Sequence, residues 1–406
     1  MQAAVGYSEN PITEQAGQEA ARAALLQAGR TDPCALALLF STSRHDAPAL
    51  RSAVAGVIGT SASIVGGGAI GAITNDRFGY AGDQVGLALI WLSEVKCDLV
   101  VEKDLDKGAE QAGERLGKQL AALEVRPESA LTLLYDSIYH VNGETRMVMA
   151  TDLLRGIRQA LGFLPDITGA GLQGDYQAGA TMQWTGADTR QHAALALHFS
   201  GAAQIDHVIM HGCRPATGYY TVTRADRQTI LEINGLPALE FMDKLLDSAI
   251  APEDYPFFLI FGINLGRKYA EFSEHNYASR LCLAVDKQRG GIVMFEPDMT
   301  EGTQFQIMYR SLDLDYMIPR IENIFDRVKG RKPVFALYIN CAGRAAGYGG
   351  VDLEDAVLLQ KTVARRVPLL GIYTGVEIAS IGGIPRGLDW TGVFCLFSIP
   401  ERTAAT

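Results

Sequence analysis

Val367 to Pro400 reads VPLLGIYTGVEIASIGGIPRGLDWTGVFCLFSIP: an apolar, β-branched run, a Gly-rich break and a second apolar run. Ahead of it stand PVFALYIN from Pro333 and an amphipathic stretch from Asp352 to Arg366. The order predicts strand, helix, strand, Gly-rich loop (SIGGIPRG) and strand. Leu353, Ala356, Val357, Val363 and Ala364 are expected on one face of that helix, with Asp352 capping its start and Arg365 and Arg366 suiting its C-terminal dipole. A preceding helix over Pro319 to Lys329 spaces Ile321, Ile324, Phe325 and Val328 for one face and stops at Gly330.

The same unit recurs twice upstream. CALALLFSTS from Cys34 leads into a helical stretch from about Ala47, the strand AGVIGTSAS, the loop VGGGAIG and the strand VGLALIWL. ALTLLYDSI from Ala130 leads into the helix TDLLRGIRQALG, with Thr151 as N-cap and Gly162 at its end, then the loop TGAGLQGDYQAG and the strand AALALHFSG. A β-rich stretch separates the second and third units, with turns at ADRQ, QRGG and TEGT. The pattern predicts an α/β (α+β) fold, two-lobed, with mixed sheets layered with helices. The lobes are expected to be residues 1–234 and 235–406, divided where NGLPALEFMDKLL opens a new helix and packed tightly because no low-complexity linker intervenes.

Composition narrows the function. The 406 residues carry 36 Lys plus Arg against 46 Asp plus Glu, a formal charge of −10 with no basic stripe. A protein whose affinity came from phosphate-backbone counterion release would carry the opposite sign, which excludes nucleic acid as the main partner. The six cysteines, Cys34, Cys97, Cys213, Cys282, Cys341 and Cys395, show no CxxC, CxxCH or zinc-type spacing, and a reducing cytoplasm is the expected compartment. No signal peptide is expected from MQAAVGYSENP. The charge-free stretch Ser52 to Asn75 is too rich in Gly, Ser and Thr for a membrane span and reads as a buried strand entering a Gly-rich loop. The glycine loops lack GxxxxGK[ST], and GGGAIG is a poor dinucleotide fingerprint.

Chemistry-bearing residues fall in four places. HGCRP, His211 to Pro215, offers an imidazole for a metal or haem and Arg214 for an anion, or else is a turn held by local hydrogen bonds. Cys341 and Arg344 in NCAGR follow an apolar strand; a thiol near a guanidinium is activated, yet no His follows His275 to serve as its base. Glu377, embedded in YTGVEIASIGG, is expected either to pair with an Arg such as Arg344 or to bind a ligand, with Tyr373 and Thr374 lining the same site. His140 stands in a hairpin or loop after the second unit's first strand.

These motifs, in this order, resemble the FIST family. VIGTSASIVGGGAIG, PDITGAGLQGD and HGCRPATGYYTVTRADRQTILEINGLPALE look like its N-terminal domain; TEGTQFQIMYR, NCAGRAAGYGG and LLGIYTGVEIASIGG look like its C-terminal domain. The resemblance implies a sensory module that binds small ligands in signal transduction. One bacterial branch, the NosP-type proteins, binds haem, senses nitric oxide and modulates histidine kinases or cyclic-di-GMP enzymes. It further implies that Cys341 and Arg344 match a Cys-x-x-Arg segment, that Gly371, Tyr373 and Glu377 match a Gly-aromatic-Glu-Ile segment, and that Gly212 and Pro215 match a Gly-x-x-Pro turn behind His211. Where the family commonly has Gly before the Glu, this chain has Val376. The expectation is a stand-alone sensor signalling through a separate partner. Haem b would be held without a covalent link by His211 or His140; the alternatives are an amino-acid or metabolite read by Arg344 and Glu377, and an enzyme using Cys341.

Overall fold

The computed structural model describes residues 1–401, so residues 402–406 of the second expected lobe lie outside the described residues. Each of the three sequence units forms a parallel strand pair bridged by a helix. The pairs are Leu36–Ser41 with Ser63–Gly68, Ala130–Asp136 with Asp166–Leu172, and Arg331–Cys341 with Leu369–Thr374. An antiparallel strand flanks each pair: Val85–Trp91, Ala194–Gly201 and Gly392–Pro400. The mixed α/β class follows directly from these pairings.

After its second parallel strand, each unit sends the chain into the sheet of another. Gly71–Ile73 of the first unit pairs with Leu369–Thr374 of the third. Val376–Ile381 of the third pairs with Asp166–Leu172 of the second, and Gln183–Gly186 of the second pairs with Ser63–Gly68 of the first. The exchange is cyclic, so the boundary at Asn234 divides the sequence while the sheets run across it. The inner sheet faces share one core that includes Phe40, Leu134, Phe199, Phe335, Leu337 and Phe397. Helices cover each outer face: Thr13–Ala28 and Ala47–Ile58, Ala109–Ala122 and Ala150–Leu161, Met317–Arg327 and Asp355–Val363. A further, antiparallel sheet, built mainly from residues 213–310, contributes Phe261, Cys282 and Phe305 to the same core.

Several expected elements shift. Ala55 to Ile58, read as strand, end the helix Ala47–Ile58. Gly382 and Gly383 form the expected turn, while Gly66 to Gly68, Gly169 and Gly171, read as loops, lie within strands. The reason is close approach: a Cβ on Gly66, at φ +134°, or on Gly169 would overlap the carbonyl oxygen of Leu39 or Leu133 on the parallel neighbour. VPLLGIYTGVEIA, read as one strand, is two strands in different sheets, Leu369–Thr374 and Val376–Ile381, parted at Gly375.

Two helix ends also differ. Helix Ala150–Leu161 has Met149 rather than Thr151 at its N-cap, and Glu296 from beyond Asn234 accepts from the backbone N–H groups of Ala150 (3.1 Å) and Thr151 (3.0 Å). Its expected stop at Gly162 holds, in a left-handed cap. The last helix is shorter than expected, and buries Asp355, Ala356, Leu358, Leu359 and Val363 while Leu353 and Val357 are exposed. Its phase is set by an ion pair: Asp355 must face inward to meet Arg344.

Gly66→Ala is expected to destabilise by at least about 3 kcal/mol, through backbone strain and overlap. Gly56→Ala, on an exposed helix position with open space at its Cβ, is expected to stabilise by up to about 1 kcal/mol. Urea midpoints of the two variants against the parent check both signs.

Candidate functional site

The strand exits of the three units converge on one cavity of about 370 Å³. Ile70 comes from just past the first unit's second parallel strand. Ile138 and Gln173 follow the second unit's parallel strands, and Cys341, Thr374 and Gly375 stand at the carboxyl ends of the third unit's. The main chain ties these exits together. Ile70 N–H donates to Tyr373 O (2.8 Å), and the Thr374 hydroxyl and Gly375 N–H both donate to Gly171 O (2.6 and 3.3 Å). Crevices outside the carboxyl ends of strands, where connections diverge, are the usual ligand position in α/β sheets.

Aromatic side chains wall the space. Tyr176 and Tyr348, from opposite sides of Asn234, stack with ring centroids 5.1 Å apart and planes within 2°. Phe257 sits edge-on to Tyr348 and to Phe295, and Phe257 and Tyr348 are about half exposed, which marks the mouth. Trp390 forms another part of the wall. Its φ of +55° is in the left-handed region, rare for a bulky residue, and the segment is held by Thr391 N–H to Glu377 Oε2 (3.3 Å) and by Cys341 N–H to Thr391 O (3.1 Å). The buried indole N–H has no hydrogen-bond partner among the described residues. Beside it Asp389 lines the cavity, its Oδ2 accepting from Leu281 N–H (2.9 Å), and burial pushes its carboxyl up to about 6.

Of the residues singled out in the sequence, Cys341 lines this cavity. Burial pushes its thiol up, the reverse of what a nucleophile needs, and no His among the described residues lines the cavity to serve as its base. Arg344 and Glu377 do not form the expected pair. The Arg344 guanidinium is sealed by Asp355 (2.5 Å), with further bonds to Asn340 Oδ1 (3.1 Å), Tyr316 Oη (3.0 Å) and His211 O (3.0 Å). Glu377 is fully buried, and burial together with Asp389 pushes its carboxyl well above the usual carboxylate range. The two therefore cannot read the two ends of an amino acid. Tyr373 donates to Glu354 Oε1 (2.8 Å) in the core, and Gly371 lies mid-strand against Ile73 and Tyr338. Val376, where the family commonly has Gly, packs in the helix-covered core and leaves the cavity wall to Gly375.

The histidines proposed for haem stand elsewhere. His211 is fully buried: Nδ1 accepts from Cys213 N–H (2.9 Å), so Nε2 carries the proton and points to Glu274 O (3.3 Å). The cavity it touches is about 30 Å³, so His211 offers no open nitrogen and no room for a porphyrin. His140 is exposed on the hairpin Ile138–Val141 and Glu144–Met147, with Nδ1 3.4 Å from Thr145 Oγ1. Arg214 is exposed on an edge strand, its guanidinium over the Phe272 ring. No group of three or more His, Cys, Asp or Glu placed to hold a metal ion exists among the described residues.

The FIST N domain model matches residues 35–236 and the FIST C domain model residues 238–380. The chain belongs to the FIST family. FIST domains are associated with sensing small ligands in signal transduction, and in this FIST protein the cavity draws its wall from both matched domains. Among similar proteins are an uncharacterized protein of Mycobacterium bovis and two of Mycobacterium tuberculosis, each 26% identical over 236 residues, 57% of this chain. The chain spans only 60% of the length of these curated relatives. A solved cyanuric acid hydrolase from A. caulinodans aligns at 12% identity over 49% of this chain and 71% of its own, with a TM-score of 0.25. No helix among the described residues is long and apolar enough to cross a membrane.

Sequence reasoning passed over Asp389, Trp390, Tyr176, Tyr348 and Phe257. A signal existed in LDWTG, where an acid and a Trp interrupt an apolar run. The structural assignment of Arg344 has a direct check. Arg344→Met leaves Asp355 buried without its cation and is expected to cost about 3–5 kcal/mol in urea unfolding, most of it recovered in Arg344→Met/Asp355→Leu. An Arg344→Met protein of unchanged stability that no longer bound ligand would contradict it.

Proposed function

We propose that this FIST protein is a sensor of a small organic ligand held in the 370 Å³ cavity where its two domains meet, and that it signals to a separate partner such as a histidine kinase or a cyclic-di-GMP enzyme. The observation that carries the reading is the Tyr176–Tyr348 stack. One ring comes from each domain, so a ligand seated under the pair contacts both and favours the arrangement of these wall segments that it binds best. The volume stands at the small end of ligand sites, roughly 300–1,000 Å³, which favours a compact metabolite over a porphyrin.

Haem-based nitric-oxide sensing is the second reading, and one observation favours it. His140 adjoins Thr145, which lines the cavity, and no hydrogen bond engages its Nε2 among the described residues. If haem b is bound, a Soret band that moves with nitric oxide is expected to survive in His211→Ala and to vanish in His140→Ala.

The main reading is checked by thermal denaturation against a metabolite panel. A compound at about a hundred times its Kd is expected to raise Tm by roughly 3–5 °C. Leu283→Trp, which fills the cavity from its wall, is expected to abolish the shift while retaining a cooperative transition. A shift unaffected by Leu283→Trp would place the ligand elsewhere.

A further inference from the structure

The chemistry of the cavity wall names a class of ligand, an inference that rests on the cavity being the sensory site. Among the described residues that line it, Asp389 alone bears a formal charge; no Lys, Arg or His joins it. Asp389 accepts one backbone hydrogen bond, from Leu281, and the nearby buried cation, Arg280, is already gripped by Asp298 through Nε to Oδ1 at 2.6 Å. Glu377 is fully buried, does not line the cavity and accepts from Thr391 N–H, so it is not placed to meet a ligand cation. A ligand carboxylate or phosphate entering this space would meet a like charge with no compensating cation, at a large desolvation cost.

The rings around Asp389 have complementary chemistry. Tyr176, Tyr348 and Phe257 offer π-faces, whereas the Trp390 ring already carries the Arg310 guanidinium 4.9 Å from its centroid, and an aromatic face attracts cations most strongly where water is excluded. The unpartnered Trp390 indole N–H adds a donor that a hydroxyl or ether oxygen of the same ligand can satisfy. We propose that the cavity binds a small organic monocation: an amine or amidine on a compact, preferably aromatic body, its positive group paired with Asp389 and its body between the rings.

The test is isothermal titration calorimetry of the full chain with four probes of similar shape: phenethylammonium, neutral 2-phenylethanol, phenylacetate and zwitterionic phenylalanine. Phenethylammonium is expected to bind at least tenfold tighter than 2-phenylethanol, with no measurable binding of phenylacetate or phenylalanine. In Asp389→Asn, which keeps an acceptor for Leu281, the preference for the cation over 2-phenylethanol is expected to fall to about onefold. Equal or tighter binding of the neutral or anionic probes, still blocked by Leu283→Trp, overturns the cation assignment and leaves the cavity as the sensory site. Failure of all four probes to bind at millimolar concentration also overturns the assignment. Should Asp389→Asn fail to fold cooperatively, the four-probe ranking in the parent protein decides on its own.

Discussion

Each strand-helix-strand unit leaves an open edge on its second parallel strand, and an unpaired edge in a buried sheet is not tolerable. The chain meets this constraint by cyclic exchange. Every unit's edge is closed by a strand from another, through Gly71–Ile73, Val376–Ile381 and Gln183–Gly186. No unit can complete its own sheet, so the three fold as one body around a single core. The Gly-rich tracts follow from the same constraint. The backbone must run close against its parallel neighbour at Gly66 and Gly169 and then turn out of one sheet and into another at Gly375.

The cavity is a by-product of that exchange. Where chains leave one sheet for another, side chains from all three units meet, and the remaining volume is lined by loops, strand ends and the strand Tyr277–Asp286 through Leu281 and Leu283. The left-handed Trp390 belongs to this region, fixed by hydrogen bonds from Thr391 to Glu377 and from Cys341 to Thr391. Such strain persists only where the surroundings over-determine it. Around it, ionisable groups split into two kinds. Arg344 with Asp355 and Arg280 with Asp298 are closed pairs that hold the fold, while Asp389 faces the cavity without a cationic partner there.

The sequence made the units readable because apolar runs and helical periodicity are local. Leu36–Ser41, Ala130–Asp136 and Arg331–Cys341 lie where the apolar runs placed them, and Gly162 caps its helix as expected, whereas the helix expected to stop at Gly330 ends at Arg327 with Val328 as its cap. The exchange was not legible: pairing partners hundreds of residues apart leave no local trace, and a glycine serving close approach looks the same as a glycine in a loop. The site failed for a related reason. Arg344, Tyr373 and Glu377 attract attention as polar groups in apolar surroundings, a pattern that structural pairs and buried carboxyls share with ligand contacts. Cys341 was found because a strand's carboxyl end is itself a local feature. Tyr176 and Phe257 lie in irregular segments and Tyr348 in the single-turn helix Ala346–Gly349, where an aromatic carries no periodicity to mark it.

In the proposed function a ligand seats between the two domains at the strand exits. Hydrogen exchange with and without a compound that raises Tm tests it most directly. Slowed exchange confined to residues 173–178, 342–350 and 389–391, from both sides of Asn234, is the predicted result. Protection around His211 and Arg344 alone, or on one domain only, would contradict it.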